Sequence, residues 1–180
     1  EGPALFERAA ANGVSLLFEA AVGGGIPIIR PLAESLAGER LTSVMGIVNG
    51  TTNFILTEMT EKGLAYPDVL AEAQRLGYAE ADPTADVSGA DAAAKAVILA
   101  GLAFGVWVDL DNVHTEGIEA IDPADIAFAS RLGYAVKLLG IAETTADGVS
   151  VRVHPSLVPA QHPLAAIRGA QNAVFVTGPA

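Results

Sequence analysis

The chain has 180 residues, of which 21 are acidic and 10 are basic, so its formal net charge at pH 7 is −11. A strongly acidic chain repels the phosphate backbone, which argues against nucleic-acid binding. Hydrophobic residues make up 51% of the chain, enough for a folded core. With no cysteine, it cannot form a disulfide, a thiolate zinc site or a cysteine nucleophile.

The longest uninterrupted apolar run, 96–108, is 13 residues long and contains two glycines. A membrane-spanning helix needs about 20 residues, so we expect no membrane segment. No signal-peptide pattern opens the chain, and we expect a cytoplasmic protein. The length favours a single domain over 1–180. Because the chain starts at Glu1 without an initiator Met and at once enters a helical pattern, we expect it to be part of a longer protein.

Helical and strand patterns interleave in the first half of the chain. Glycines or prolines separate most of the predicted elements. In chain order they are a helix over 4–12, a buried strand over 14–22, a helix over 28–37, a strand over 41–48, and helices over 53–62 and 66–76.

The second half changes from long helices to strands. An apolar helix is predicted over 90–104, a strand over 113–118, a helix over 123–132 capped by Asp122, strands over 135–144, 149–153 and 173–177, and a short helix over 163–168. Asp147-Gly148 is typical of a hairpin turn. These elements predict an α+β domain with helices packed on one face of a mixed, largely antiparallel sheet.

Three consecutive glycines, 23–25, lie between a predicted strand and a predicted helix, as in dinucleotide-binding folds. The fingerprint fails, because Ile28 stands where a third small residue is needed and the second strand ends without an acidic residue. Two interpretations stay open. The turn either points main-chain oxygens at a hard cation or is an ordinary tight turn.

Asn49-Gly50-Thr51-Thr52-Asn53 precedes or opens a predicted helix. Free N–H groups at a helix start can bind a carboxylate or a phosphate. Simple capping by Thr51 or Thr52 is the alternative.

The polar segment 77–91 contains four carboxylates, and Lys95 follows it. Asp91 and Lys95 are four residues apart and share one helix face. From 92 to 108 every residue except Lys95 is apolar or glycine, which indicates a buried helix with one lysine in it. The loop before this helix carries three more carboxylates, so a cationic, amino-acid-like substrate and a purely structural ion pair are both compatible with the pattern.

Three blocks in this order resemble homoserine dehydrogenases: 19–28 (EAAVGGGIPI), 49–53 (NGTTN) and 77–95 from GYAEADP to Asp91 and Lys95. The resemblance covers nearly the whole chain and places it in that family's substrate-binding, catalytic and dimerisation domain. It implies NAD- or NADP-dependent interconversion of L-homoserine and L-aspartate 4-semialdehyde, in the biosynthesis of threonine, methionine and isoleucine. Aspartate-semialdehyde dehydrogenase, of the same pathway, needs a cysteine nucleophile that this chain lacks.

The resemblance also implies roles for individual residues. Lys95 matches a catalytic lysine and Asp91 its neighbouring carboxylate. The residues implied to bind or surround the substrate are Glu80, Asp86, Tyr78, Thr51 and Gly50, the last two also lying near the nicotinamide. A monovalent cation, sodium or potassium, is implied at the main-chain carbonyls of Val22, Gly24 and Ile26 together with Glu19.

The chain departs from the family in lacking the dinucleotide fingerprint and a second active-site lysine. We therefore expect a substrate-binding and catalytic domain over 1–180. In it, 1–13 would be a linking helix from a nucleotide-binding domain outside the chain, which would hold most of the NAD or NADP. A homodimer with no nucleic-acid or membrane partner is expected. The alternative is a non-catalytic module for amino-acid binding or dimerisation.

Overall fold

A computed structural model describes residues 2–179 as helices around one sheet. The helices are α1 (Gly2–Ala11), α2 (Gly50–Lys62), α3 (Tyr66–Leu76), α4 (Thr84–Val87), α5 (Ala90–Phe104) and α6 (Pro123–Arg131). The strands are β1 (Ser43–Ile47), β2 (His114–Thr115), β3 (Tyr134–Thr145), β4 (Gly148–Pro159) and β5 (Ala173–Thr177). A π-helical turn covers Pro31–Ser35, and 3-10 turns cover Leu110–Asn112 and Pro163–Ala166.

The five strands form one sheet in the order β2-β4-β3-β1-β5. All neighbouring pairs are antiparallel except β2 and β4, which are parallel. The long β3–β4 hairpin pairs Thr145 with Gly148, so its turn consists of Ala146 and Asp147 and lies one residue before the predicted Asp147-Gly148. The α+β class and the mixed, largely antiparallel sheet are confirmed.

Helix α5 lies against one face of the sheet. A β-carbon at Gly140 of β3 would come within 3.2 Å of the Ala96 β-carbon of α5, so the small residues on both sides let helix and strand approach closely. Ala92, Ala96 and Ala100 of α5 are buried in the main core. On the opposite face, Leu139 and Ile141 of β3 form a smaller apolar cluster with Leu164, which lies in the 3-10 turn Pro163–Ala166.

Local signals placed several helix boundaries correctly. Helix α3 spans the predicted residues and ends at Gly77, whose φ of 80° is the left-handed conformation that glycine adopts easily. Helix α6 begins at Pro123, and the Asp122 side chain accepts the N–H of Ala124 as its N-cap. Within residues 2–179, no helix is long and apolar enough to cross a membrane.

The strand predicted over 14–22 is wrong. Among the described residues no strand pairs with this segment, and Leu17 is 87% exposed. Its apolar pattern is typical of a buried strand, but a strand also needs a neighbouring strand for its N–H and C=O groups. The segment is apolar, but the sheet of the described residues is built from other segments.

Other boundaries shift by a few residues. The helix predicted over 28–37 is a shorter helical segment ending at Ser35, and the strand predicted over 113–118 pairs only at His114 and Thr115. Strand β4 runs on to Pro159 instead of stopping at 153, because it stays paired with β3 up to Tyr134 opposite Pro159. Helix α2 starts at Gly50, three residues before the predicted Asn53.

Candidate active site

Lys95 and Asp91 form an ion pair near the start of α5. The Lys95 Nζ donates to Asp91 Oδ2 at 2.6 Å and to the Val48 carbonyl oxygen at 3.1 Å. About 23% of the Lys95 side chain is exposed, so the lysine is held by the chain and remains open to solvent on one side. The pairing predicted from the four-residue spacing is confirmed, but Lys95 is only partly buried.

Asn49 connects this pair to Asp86, and the sequence analysis did not identify it as a site residue. Its Nδ2 donates to Asp86 Oδ1 at 2.7 Å and to Asp91 Oδ2 at 2.8 Å. Asn49 follows β1, Asp86 lies in α4 and Asp91 in α5, so one amide joins three elements. The structure therefore brings together Asp86, Asp91 and Lys95, three of the residues singled out in the sequence.

Asn49 is also the N-cap of α2, where Thr51 or Thr52 was considered. Its Oδ1 accepts the Thr52 N–H at 2.9 Å and the Thr52 hydroxyl at 3.0 Å. Thr51 instead donates its hydroxyl to the Tyr78 carbonyl at 2.7 Å. Capping by Thr51 or Thr52 is therefore wrong, and Asn49 caps this helix.

Gly50 and Tyr78 surround the start of α2. A β-carbon at Gly50 would lie 2.9 Å from the Ala170 carbonyl oxygen, so the protein's own backbone requires glycine there. The Tyr78 ring stacks on Phe54 of α2 with ring centres 4.5 Å apart, and its edge remains exposed. Both residues thus border the helix end that lies beside the Asp86–Asp91–Lys95 group.

Glu80 is exposed, and within residues 2–179 its carboxylate hydrogen-bonds to no other group. Its main chain is fixed by the Gln74 side chain, which donates to the Glu80 carbonyl at 3.0 Å. Glu80 is therefore an available carboxylate on a fixed backbone. The structure gives it no contact with Lys95.

The turn over 19–26 is held by Glu19. Its two carboxylate oxygens accept the N–H groups of Ile29 at 2.8 Å and Arg30 at 3.0 Å, which begin the helical segment that follows. The Ile26 N–H donates to Gly23 O at 2.9 Å and closes the glycine turn. A groove of about 620 Å³ next to this turn is lined by Glu19 and Arg30 together with the exposed Leu16 and Leu17.

A second lysine network, also unidentified from the sequence, lies in β3. Lys137 is 4% exposed, and its Nζ donates to Asn53 Oδ1 at 3.1 Å and to the Ile167 carbonyl. Burial, with a further contribution from nearby Arg168, lowers the pKa of Lys137 from 10.5 to about 8, while Glu61 opposes the shift. The signal that could have identified it is the same as for Lys95: one lysine within an apolar segment.

Comparison with known proteins gives one consistent family. The family described as Homoserine dehydrogenase matches residues 27–180. A homoserine dehydrogenase from Synechocystis is 53% identical over 98% of this chain and 42% of its own length. The crystal structure of a homoserine dehydrogenase from Thiobacillus denitrificans has a TM-score of 0.96 at 52% identity, covering 98% of this chain and 41% of that one.

A third similar structure is described as a hyperthermophilic archaeal homoserine dehydrogenase mutant in complex with NADPH. It has a TM-score of 0.81 at 31% identity and covers 98% of this chain and 50% of its own. This chain thus spans about two fifths to one half of the length of these relatives. On the extent of these matches, the chain belongs to the homoserine dehydrogenase family.

Proposed function

We propose that this chain is the substrate-binding and catalytic part of a homoserine dehydrogenase, which interconverts L-homoserine and L-aspartate 4-semialdehyde with NAD or NADP in the cytoplasm. The observation that carries the proposal is the group of Asp86, Asp91 and Lys95 joined by Asn49 beside the start of α2. A partly exposed amine that is paired with one carboxylate and linked through an amide to a second suits proton exchange with an amino-acid substrate.

The carboxylates account for binding of the substrate ammonium. Glu80 and Asp86 are both at least partly exposed and lie on the loop and the short helix that precede α5. Opposite charges at hydrogen-bond distance are the strongest polar contacts available to such a ligand. Gly50 and Thr51, at the positive end of α2, suit the substrate carboxylate, and Tyr78 borders the same space.

Lys95 is the group that moves the proton. In the family's reaction the nicotinamide cofactor supplies or removes the hydride at the substrate's terminal carbon. The oxygen on that carbon must then gain or lose a proton. Lys95 gives or takes this proton, and Asp91 holds its ammonium at 2.6 Å so that it faces the substrate.

The glycine turn does not fit the pyrophosphate of a dinucleotide. A pyrophosphate needs free N–H groups at a helix start, but the Glu19 carboxylate already accepts those of Ile29 and Arg30 and adds a negative charge there. This agrees with the failed fingerprint at the glycine turn. We assign most of the NAD or NADP contacts to parts of the enzyme outside these 180 residues.

The same turn supports the proposed sodium or potassium site. Val22 is completely buried, and within residues 2–179 no hydrogen bond reaches its carbonyl oxygen or that of Gly24. Main-chain oxygens without donors are ligands that a hard cation prefers. The Ile26 carbonyl accepts the Ile28 N–H at 3.1 Å and keeps a lone pair, and Glu19 completes the proposed set.

In a high-resolution map from potassium buffer we expect a peak with at least four oxygen contacts. A water-like peak with fewer contacts would reject the site.

A homodimer is proposed from family membership. Sedimentation of the enzyme as one species of twice the subunit mass is expected, and a monomer at working concentrations would contradict it.

The enzyme that contains this chain should reduce NAD or NADP only when homoserine is added. The competing function, a non-catalytic amino-acid-binding or dimerisation module, predicts homoserine binding in calorimetry without any cofactor reduction. Observing cofactor reduction that also requires Lys95 supports the catalytic proposal. Binding without turnover in the complete enzyme would reject it.

A further inference from the structure

The side-chain amide of Asn49 hydrogen-bonds to three other residues. The residue is 5% exposed, and each hydrogen of its Nδ2 goes to a different carboxylate, Asp86 at 2.7 Å and Asp91 at 2.8 Å. Its Oδ1 accepts two hydrogen bonds from Thr52. All four hydrogen-bonding positions of the amide are therefore satisfied by the protein.

The orientation of this amide is fixed by its surroundings. The Thr52 backbone N–H can only donate, so the atom that faces it must be the oxygen. The nitrogen must then face the two carboxylates, which can only accept when ionised. A flipped amide would place its oxygen against both carboxylates and its nitrogen against a donor.

We propose that Asn49 is a positioning residue for the proton-transfer group, acting through Asp91 on Lys95 and through Asp86 on the substrate ammonium. This inference rests on the function proposed above. Asp91 Oδ2 accepts from both Asn49 and Lys95, so the Asn49 amide fixes the oxygen that orients the lysine. Without a donor between them, Asp86 and Asp91 would repel each other and separate.

A neutral donor has an advantage over a charged one at this position. Two carboxylates and one ammonium leave the group with one net negative charge, which attracts the cationic end of an amino acid. A lysine or arginine at position 49 would cancel that charge and has no oxygen to accept the Thr52 N–H. An amide holds them and leaves the attraction intact.

The test uses two substitutions that keep the helix cap. Asn49→Ser retains an N-cap oxygen but loses the amide nitrogen that donates to both carboxylates, and Asn49→Asp is isosteric, retains the cap and replaces that nitrogen by an acceptor oxygen. In the complete enzyme we expect either variant to lower kcat and raise the KM for homoserine, each by about tenfold, the effect of losing one hydrogen bond to a charged group. The KM for the cofactor should not change.

A control separates positioning from loss of stability. Val69→Ala removes two buried methyl groups from α3, away from the charged group, and should lower the unfolding temperature with kcat and both KM values unchanged. If Val69→Ala reproduces the kinetic changes of Asn49→Ser, the effect is merely structural and the proposal fails.

A double-mutant cycle tests the route through Asp91. Because Asn49 acts through that carboxylate, the kcat of Asn49→Ser/Asp91→Asn should equal that of Asp91→Asn alone. Fold-losses in kcat that multiply, or wild-type kinetics in both Asn49 variants, overturn the positioning role. Wild-type turnover in Asp91→Asn and Lys95→Ala would instead reject the proposed function, so the two failures are distinguishable.

Discussion

Lys95 and Lys137 are both lysines within apolar segments, yet the protein holds them differently. Lys95 pairs with a carboxylate at 2.6 Å and keeps about a quarter of its side chain exposed. Lys137 is almost fully enclosed, and its hydrogen bonds go to an amide oxygen and a main-chain carbonyl. Burial alone therefore does not distinguish the lysine that we propose to be functional. Lys95 differs in having a carboxylate partner and in being partly exposed.

Lys137 belongs to a hydrogen-bond network that has a structural role. Asn53 accepts from Lys137 and donates to the carbonyls of Gly169 and Gln171, while the Thr57 hydroxyl accepts the Gly169 N–H. Together these groups fasten the segment 167–171 to α2. That segment includes Ala170, whose carbonyl packs against Gly50. Lys137 thus holds the segment that packs against the start of α2, whereas Lys95 belongs to the candidate site itself.

The largest expected effect is on kcat, which should depend on Lys95 and far less on Lys137. Lys95→Ala should lower kcat at least about 10²-fold, because it removes the proposed proton-transfer group. Steady-state kinetics of the enzyme would measure this, with cofactor affinity little changed. Lys62→Ala is the matched control, since Lys62 pairs with Glu58 at the end of α2 and should leave kcat unaltered. A near wild-type kcat in Lys95→Ala would remove the lysine from the mechanism.

The next effect concerns Glu80, a carboxylate of the proposed substrate site. Glu80→Gln should raise the KM for homoserine by about tenfold and change cofactor affinity less, because this free carboxylate is proposed to bind the substrate ammonium. Glu72→Gln is the control: that carboxylate is already paired with Arg75 at 2.6 Å. Equal losses for homoserine and cofactor would place Glu80 outside the substrate pocket.

The sequence predicts those parts of the molecule that depend on local signals. Helix α3 and strand β5 lie at their predicted residues, since helix periodicity, caps and β-branched runs act over a few residues. The Asp91–Lys95 pair was predictable for the same reason, being one helical turn. The Asn49 bridge was not, because it joins residues 37 and 42 positions apart whose meeting depends on how α4 and α5 pack on β1.

Lys137 should control stability and not turnover. Lys137→Met leaves the buried Asn53 Oδ1 without its donor, which costs about 1–3 kcal/mol of unfolding free energy. Thermal unfolding at neutral pH should therefore show a lower midpoint, with kcat changed far less than in Lys95→Ala. A loss of kcat matching that of Lys95→Ala, at an unchanged midpoint, would reverse the roles assigned to the two lysines.

The smallest effect is the pH dependence of that stability. The pKa of Lys137 is about 8 in the folded protein, mainly because of burial, against 10.5 when unfolded. Below about pH 8 both states carry the proton, and above about pH 10.5 neither does. Between these values only the unfolded state binds it, so the free energy of unfolding rises with pH through this window.

The enclosed lysine thus stabilises the fold most when it is neutral and still donating its hydrogen bonds. Because Lys137→Met cannot titrate, the difference in unfolding free energy between wild type and variant should widen from about pH 8 to about pH 10. Urea unfolding of both proteins across this range measures that difference and cancels groups that titrate alike in each. A difference that stays constant or narrows with rising pH would show that Lys137 is not held in the low-polarity surroundings that set it apart from Lys95.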